Sequence, residues 1–509
     1  MHRLRSIVFV DLRLRLRNRS FWFVLGAACI VAWWCFPAKD SDYLLLALDG
    51  KYRGAYSSAW AGMTVAMTSL WLTLIGFYLV RGSITRDIDS QLWQLLAATP
   101  MRASTYLLAK WCSHLAVLVL ILVAMLLVAL AAQLLRAEDR QIDLIELAKP
   151  VLLLSVPSCA ITAMFAVWFD LVPALRRSAG NVAYFCVWIG MLAATQFSLQ
   201  HPLSGAAAWI GDPVGVSVFA NGIGRAVLEQ HGVSTNAVFC MVCAVKGAPV
   251  VVDWSVWRIG AGEIFGRGFW LLLAAGGVAL AAPLCSNAAP AQRGAAPVRE
   301  DQAPRRDWLA KCTQPLHRTR FGAMLAAELQ LTLRHNSRWW WGAMGLAWCV
   351  QLIASNEQVA LAIVAVWVLL LGTVSRAALR ELDAGTGDIV FSADVRSGVL
   401  RARWVALLAV SVLANLPALV HTLLTAPAIA WATVVVGASL VTWAMALGTL
   451  TGNGRTYELL VCVLAYFAFN DGFVLNVSIN PLRTALAHFV VMLPIVALLL
   501  FKRGRARFA

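Results

Sequence analysis

Twelve apolar runs of roughly 17–25 residues punctuate the chain, each about as long as a helix must be to cross the hydrocarbon core of a bilayer. They fall at about 21–36, 58–80, 106–134, 150–170, 180–198 and 268–286, and again at about 339–355, 359–378, 404–424, 426–448, 459–476 and 482–501. A backbone at that depth has no water to bond with and satisfies itself as helix. The pattern therefore predicts an all-α integral membrane protein of about 12 transmembrane helices. Composition agrees: of 509 residues, 60% are hydrophobic and 13% charged, against about 25% charged in soluble domains. A soluble enzyme, a disordered chain and a disulfide-stapled secreted domain are excluded.

The charges then orient the spans. Segments 1–20, 81–110, 171–180, 287–338, 376–403, 449–458 and 501–509 alternate in side with the rest and hold 31 of the 42 Lys and Arg. Asp and Glu divide nearly evenly between the two sides. The positive-inside rule makes the basic side cytoplasmic, with both termini there, as expected for the cytoplasmic (inner) membrane of a bacterium. The net charge of +16 thus reflects topology and contact with anionic membrane lipid, not nucleic acid. The start, MHRLRSIVFVDLRLRLRNRS, has no small-residue cleavage site after its apolar run. Its alternating basic and apolar residues suit either a segment lying at the membrane interface or an ordinary topogenic tail.

The two halves repeat. DLRLRLRNRSFW, from Asp11 to Trp22, aligns without gaps on ELQLTLRHNSRW, from Glu328 to Trp339, at a spacing of 317 residues. RDIDSQLWQLLAATPMR, from Arg86 to Arg102, aligns on RELDAGTGDIVFSADVR, from Arg380 to Arg396, at a spacing of 294. There Arg86, Asp87, Asp89, Leu95 and Arg102 meet Arg380, Glu381, Asp383, Ile389 and Arg396. HPLSGAAAW, from His201, aligns on NPLRTALAH, from Asn480, at 279. Three ordered blocks point to a tandem duplication. Six spans per half make the repeats parallel, related by an axis along the membrane normal. The expected domains are a first repeat at 1–286 with an extracytoplasmic insertion at 199–267, an Ala/Pro/Arg-rich cytoplasmic linker of little fixed structure at 287–320, and a second repeat at 321–509.

The segment Arg86–Arg102 is too polar to span, yet Ile88, Leu92, Trp93, Leu95 and Leu96 recur at roughly helical spacing. Asp87 and Asp89 are expected in its first turn, where they suit the helix dipole, and Thr99-Pro100 ends it. Such a helix either docks into a groove on a soluble partner or lies on lipid headgroups. The run RDIDSQLWQLLAATPMRASTYLLAK resembles the region after the second span of ABC-2-type permeases. In that family a basic-acidic start, a Leu-rich short helix, a Thr/Ser-Pro stop and a Lys entering the third span form the coupling helix that contacts an ATPase. The basic interface segments and the Pro-Leu pairs Pro202-Leu203 and Pro481-Leu482 are similar to that family too. The second half departs from it: AGTGDIVFSADVR has Asp394 in place of the Pro, two glycines and a poorer Leu stripe.

The resemblance implies two parallel six-helix repeats of ABC-2 (type V exporter-like) architecture. It also implies ATPase coupling through Arg86, Asp87, Asp89, Leu92, Trp93, Leu95, Leu96, Thr99, Pro100 and Arg102, and through Arg380, Glu381, Asp383, Ile389 and Arg396. In the family's geometry the second and fifth spans face the translocation path. Thr64, Met67, Thr68, Trp71, Tyr184, Trp188 and Gln196 would line one wall, and Gln358, Trp367, Tyr466, Phe467, Asn470 and Asp471 the other. Such an aromatic path suits an amphiphilic or hydrophobic cargo. No G-x-x-x-x-G-K-S/T phosphate loop occurs in the chain, so it is expected to be no enzyme itself. ATP and Mg would belong to two copies of a separate ABC ATPase subunit, the implied partner.

Other features are weaker. Cys240 and Cys243 in the insertion suggest a disulfide or two thiols, since a zinc site needs about four ligands. Asp170, near Arg176 and Arg177, is expected to pair with them, and His114 and His421 to be packing residues. The competing readings are a secondary, ion-coupled transporter with parallel six-span repeats and a membrane-embedded enzyme. Few buried carboxylates oppose the first, and eight scattered His oppose the second.

Overall fold

The computed structural model describes residues 2–17, 19–34, 43–48, 51–90, 101–176, 178–201, 210–233, 239–244, 249–256, 259–284, 307–334, 336, 338–386, 396–469 and 474–505. Among them, seven helices are long and apolar enough to cross a membrane, or eight if a bent pair at Gly398–Ala414 and Leu416–Thr425 counts as one span. That pair bends by 68° where Asn415 and Pro417 interrupt the ladder. Phe21–Trp34, Trp340–Ile353 and Pro481–Val496 are apolar but shorter. The protein is thus a multi-pass helical membrane protein, with seven or eight full-length spans among the described residues.

The described residues form two compact bodies: Met1–Arg176 with Ala183–Gly294, and Arg177–Val182 with Ala295–Ala509. In the first, α1 (His2–Leu16) and α2 (Arg19–Trp34) precede a short β1 (Tyr43–Leu48) and β2 (Tyr52–Gly54). Then come α3 (Ser58–Val80), α4 (Ser83–Asp89), α5 (Ala103–Arg136), α6 (Leu144–Pro150) and, after a π-turn, α7 (Val156–Leu171). The remainder is α8 (Ser178–Gln200, its first turn outside this body), α9 (Val216–His231), β3 (Phe239–Ala244), β4 (Val250–Val252) and α10 (Ala261–Leu280). Helix α3 is the hub, packed against α5, α6 and α7, and nearly every side chain along it is buried. Gly62 makes this possible: a Cβ there would collide with the Leu147 carbonyl of α6.

A four-stranded sheet, ordered β3-β1-β2-β4, joins the loop before α3 to the insertion before α10. β1 runs antiparallel to β2 and β3, and β2 runs parallel to β4. It is fixed to the start of α3 by aromatic packing: Trp254 stacks on Trp60 with centroids 5.0 Å apart, and both are fully buried. The sequence reading, which saw only an outer cap, did not find these strands.

In the second body α11 (Asp307–Thr313) and a 3-10 turn (Gln314–Arg318) give structure to the end of the expected linker. There follow α12 (Arg320–Arg334), α13 (Arg338–Ile353), α14 (Asn356–Ala384), α15 (Arg396–Ala414), α16 (Leu416–Thr425), α17 (Pro427–Thr451), α18 (Arg455–Phe469) and α19 (Pro481–Arg505). α14 packs on α17 and α18, α17 on α19, and α12 on α15.

Candidate functional site

At 1.5 Å per residue, α3 carries the chain about 35 Å from the sheet to the turn at Arg81-Gly82. Gly82 there has φ +89°, a left-handed conformation that starts α4 without a Cβ clash. The fully buried Asp170 of α7 holds this turn. Its carboxylate accepts from the Gly82 amide (3.0 and 2.9 Å) and the Ile84 amide (3.1 Å), and lies 3.8 Å from Arg81 Nε. Of the two partners expected for it, Arg177 lies outside the described residues, and the Arg176 guanidinium donates to the carbonyls of Asp170 and Leu171 and not to the carboxylate. The carboxylate instead caps the orphan amides of the next helix.

Because α4 begins at Ser83, Asp87 and Asp89 sit in its last turn and not the first. Asp87 is therefore no dipole partner; it is an ion-pair acid. Lys110 of α5, 4% exposed, reaches Asp87 Oδ2 at 2.8 Å and Asp11 Oδ1 of α1 at 3.1 Å. Tyr106 Oη donates to Asp87 (2.7 Å) and Ser113 Oγ to Asp11 (2.6 Å). Arg15 Nε donates to Asp11 at 3.0 Å, and the half-exposed Arg86 stands 3.5 Å from it. Burial alone would raise the Asp11 pKa, but Arg15, Lys110 and the Ser113 hydroxyl hold it well below the usual carboxylate range. His114 is not isolated: its Nε2 lies 2.9 Å from Ser83 Oγ.

The second body holds a network of the same kind. Arg403 of α15, 2% exposed, donates to Glu328 of α12 through Nε (3.2 Å) and Nη2 (3.0 Å). It also donates to Glu381 at the end of α14 through Nη1 (2.7 Å) and Nη2. Arg380 Nη1 donates to Glu328 at 2.9 Å and its Nη2 to Thr332 Oγ1 at 3.2 Å. Burial opposes ionisation of Glu381, yet its bonds to Arg403 lower its pKa below the ordinary value.

Of the residues expected to couple, the structure thus brings Arg86 and Asp87, and Arg380 and Glu381, into these networks. Asp89 closes α4, and Asp383 lies in the last turn of α14. Arg102 is exposed, and Arg396 opens α15. Leu92, Trp93, Leu95, Leu96, Thr99, Pro100 and Ile389 lie outside the described residues.

Of the expected path residues, Thr64, Met67, Tyr184, Trp188 and Trp367 are buried. Tyr184 Oη donates to the Thr73 carbonyl (3.0 Å) and Trp188 Nε1 to Thr73 Oγ1 (2.9 Å), so α8 packs on α3 through them. Trp71 meets Trp188 with centroids 5.7 Å apart, while the Thr64 and Thr68 hydroxyls donate back to carbonyls of their own helix. Gln196, Gln358 and Phe467 are exposed and Tyr466 is half-buried. Asn470 and Asp471 lie outside the described residues. Glu458 accepts from Ser375 Oγ at 2.6 Å. Cys240 and Cys243 stand three apart on β3, so their Cα atoms are about 10 Å apart, beyond the reach of a disulfide between them.

The residues that sequence reasoning missed are Asp11, Lys110, Glu328 and Arg403. The alignment had already paired Asp11 with Glu328, which was the available signal. Comparison with family models, with curated proteins and with solved structures finds no match to this chain.

Proposed function

We propose that the chain is the transmembrane permease subunit of an ATP-binding cassette exporter, of ABC-2 type with twelve spans in two parallel repeats. It would move an amphiphilic or hydrophobic substrate out of the cytoplasm, driven by two copies of a separate ATPase that carries ATP and Mg. The observation that carries this reading is the fastening of the segment after the second span. In the first body the buried Lys110 of α5 pairs with Asp87 of α4 and with Asp11 of α1, so that α4 and α1 are joined through it, with the half-exposed Arg86 also 3.5 Å from Asp11. In the second they tie the end of α14 to α12 and α15.

A push on either segment therefore moves three helices as a unit, because separating a buried ion pair costs about 3–5 kcal/mol. An input of this kind is what a permease without its own motor requires. Helix α1 supports a membrane-surface placement: Phe9, Val10 and Leu14 are exposed beside Arg13 and Arg17 around a shallow groove of about 270 Å³.

The test is purification of the chain from its native membrane. The expected result is co-elution of an Mg-dependent ATPase bearing a phosphate-loop sequence, lost on Leu95→Asp with Trp93→Ala. Transport driven by a proton gradient with no ATPase present would overturn the proposal in favour of an ion-coupled transporter.

A further inference from the structure

Four charged positions of the two networks correspond, while Arg15, which also pairs with Asp11, meets Thr332 at the spacing of its own helix, where Arg380 bonds the hydroxyl. Asp11 and Glu328 are 317 residues apart, Arg86 and Arg380 294, Asp87 and Glu381 294, and Lys110 and Arg403 293. Each half thus places an acid on its first amphipathic helix, a cation-acid pair after its second span, and a buried cation on the helix that follows.

The supporting groups differ. Where the first half has Tyr106 and Ser113, the same 293-residue spacing leads to Val399 and Ala406. The chemistry explains the exchange. A Lys ammonium offers three donors, too few to satisfy two buried carboxylates, so Tyr106 and Ser113 each donate one more bond. The Arg403 guanidinium offers five donors in a planar fork and contacts both Glu328 and Glu381 twice. The second half has a poorer Leu stripe and two glycines, yet all four of these corresponding charges are in place. A vestigial segment would have no reason to keep a buried pair of acids that is costly unless fully partnered.

We infer that Lys110 and Arg403 are equivalent positioning residues, each fastening the segment after the second span to the first helix of its own half, and that the second half is a working lever. The lever clause rests on the exporter reading; the fastening does not.

The fastening is tested by hydrogen exchange on the purified chain in lipid nanodiscs. Arg403→Lys, which keeps the charge but removes donors, is expected to speed exchange in α12 by about tenfold or more. Adding Val399→Tyr and Ala406→Ser, the first half's own donors, is expected to restore protection. Faster exchange with no rescue, or no change on Arg403→Lys, overturns the equivalence. Should Arg403→Lys fail to fold, the reciprocal arm applies: Tyr106→Phe with Ser113→Ala should loosen α1 in the native background but not beside Lys110→Arg. Equal loosening in both backgrounds overturns it.

The lever is tested in the assembled complex, where Arg403→Lys should lower substrate moved per ATP hydrolysed while hydrolysis persists. Unchanged stoichiometry overturns the lever. Absence of any ATPase bound to the wild-type chain defeats the exporter reading instead and leaves the exchange result standing.

Discussion

Replacing Asp170 should expose how much of the first body depends on one turn. The carboxylate is fully buried, caps the amides of Gly82 and Ile84, and is the acid beside the buried Arg81. Asp170→Ala leaves that guanidinium without its carboxylate, at about 3–5 kcal/mol. It also strips an N-cap acceptor from α4, worth about 0.5–2 kcal/mol. The sum, about 3.5–7 kcal/mol, is a large share of the ~5–15 kcal/mol that holds a folded domain together.

Asp170→Asn keeps one acceptor for the amides and should lose less, about 2–4 kcal/mol by the same reasoning. Arg81→Met combined with Asp170→Asn removes both charges and should be more stable than Asp170→Ala. Thermal unfolding in detergent, followed by thiol labelling of the buried Cys159 and Cys462, ranks the three. If the double variant melts no higher than Asp170→Ala, charge burial is not what makes this residue indispensable and the argument fails.

Three further outcomes are expected. The pKa of Asp11 is depressed in the folded protein, so its contribution is complete above the unfolded value of about 4 and is lost as pH falls toward the folded one. A spin label at Leu14→Cys should therefore gain mobility below about pH 4, and Asp11→Asn should abolish that dependence; a flat profile in the parent counts against the ion pairs. Gly62→Val should cost about 1–3 kcal/mol or more through the collision with the Leu147 carbonyl, read as a lowered melting temperature. Peptide mapping after alkylation without reductant should find no bond between Cys240 and Cys243, whose strand positions hold them too far apart.

Hydropathy alone located the helices that became α3, α5, α7, α8, α10, α14 and α17, because a span must be both long and apolar. The repeat alignment found three of the four positions in each ion network. It stopped short of Lys110 and Arg403, since the register slips by one residue and the apolar neighbours of a cation in a span carry no alignment signal. The expectation of Arg176 at the Asp170 carboxylate failed for a similar reason: Arg176 is six residues away along the chain, whereas Arg81 is brought close only by packing of α3 on α7. The strands were illegible because YLLLAL and FCMVCA are short apolar runs whose periodicity does not separate strand from helix. Their pairing also joins segments about 190 residues apart.

That last separation has a consequence for biosynthesis. At about 5–20 residues per second, a ribosome needs roughly 10–40 s to travel from the end of β1 to the start of β3. Throughout that interval β1 and β2 lack the strands that flank them in the finished sheet, and Trp60 lacks the Trp254 ring that covers it. Completion of the first body is thus timed by its last outer segment: a nascent chain arrested before Val250 would carry the spans through α8 but neither α10 nor the aromatic clasp that closes over α3.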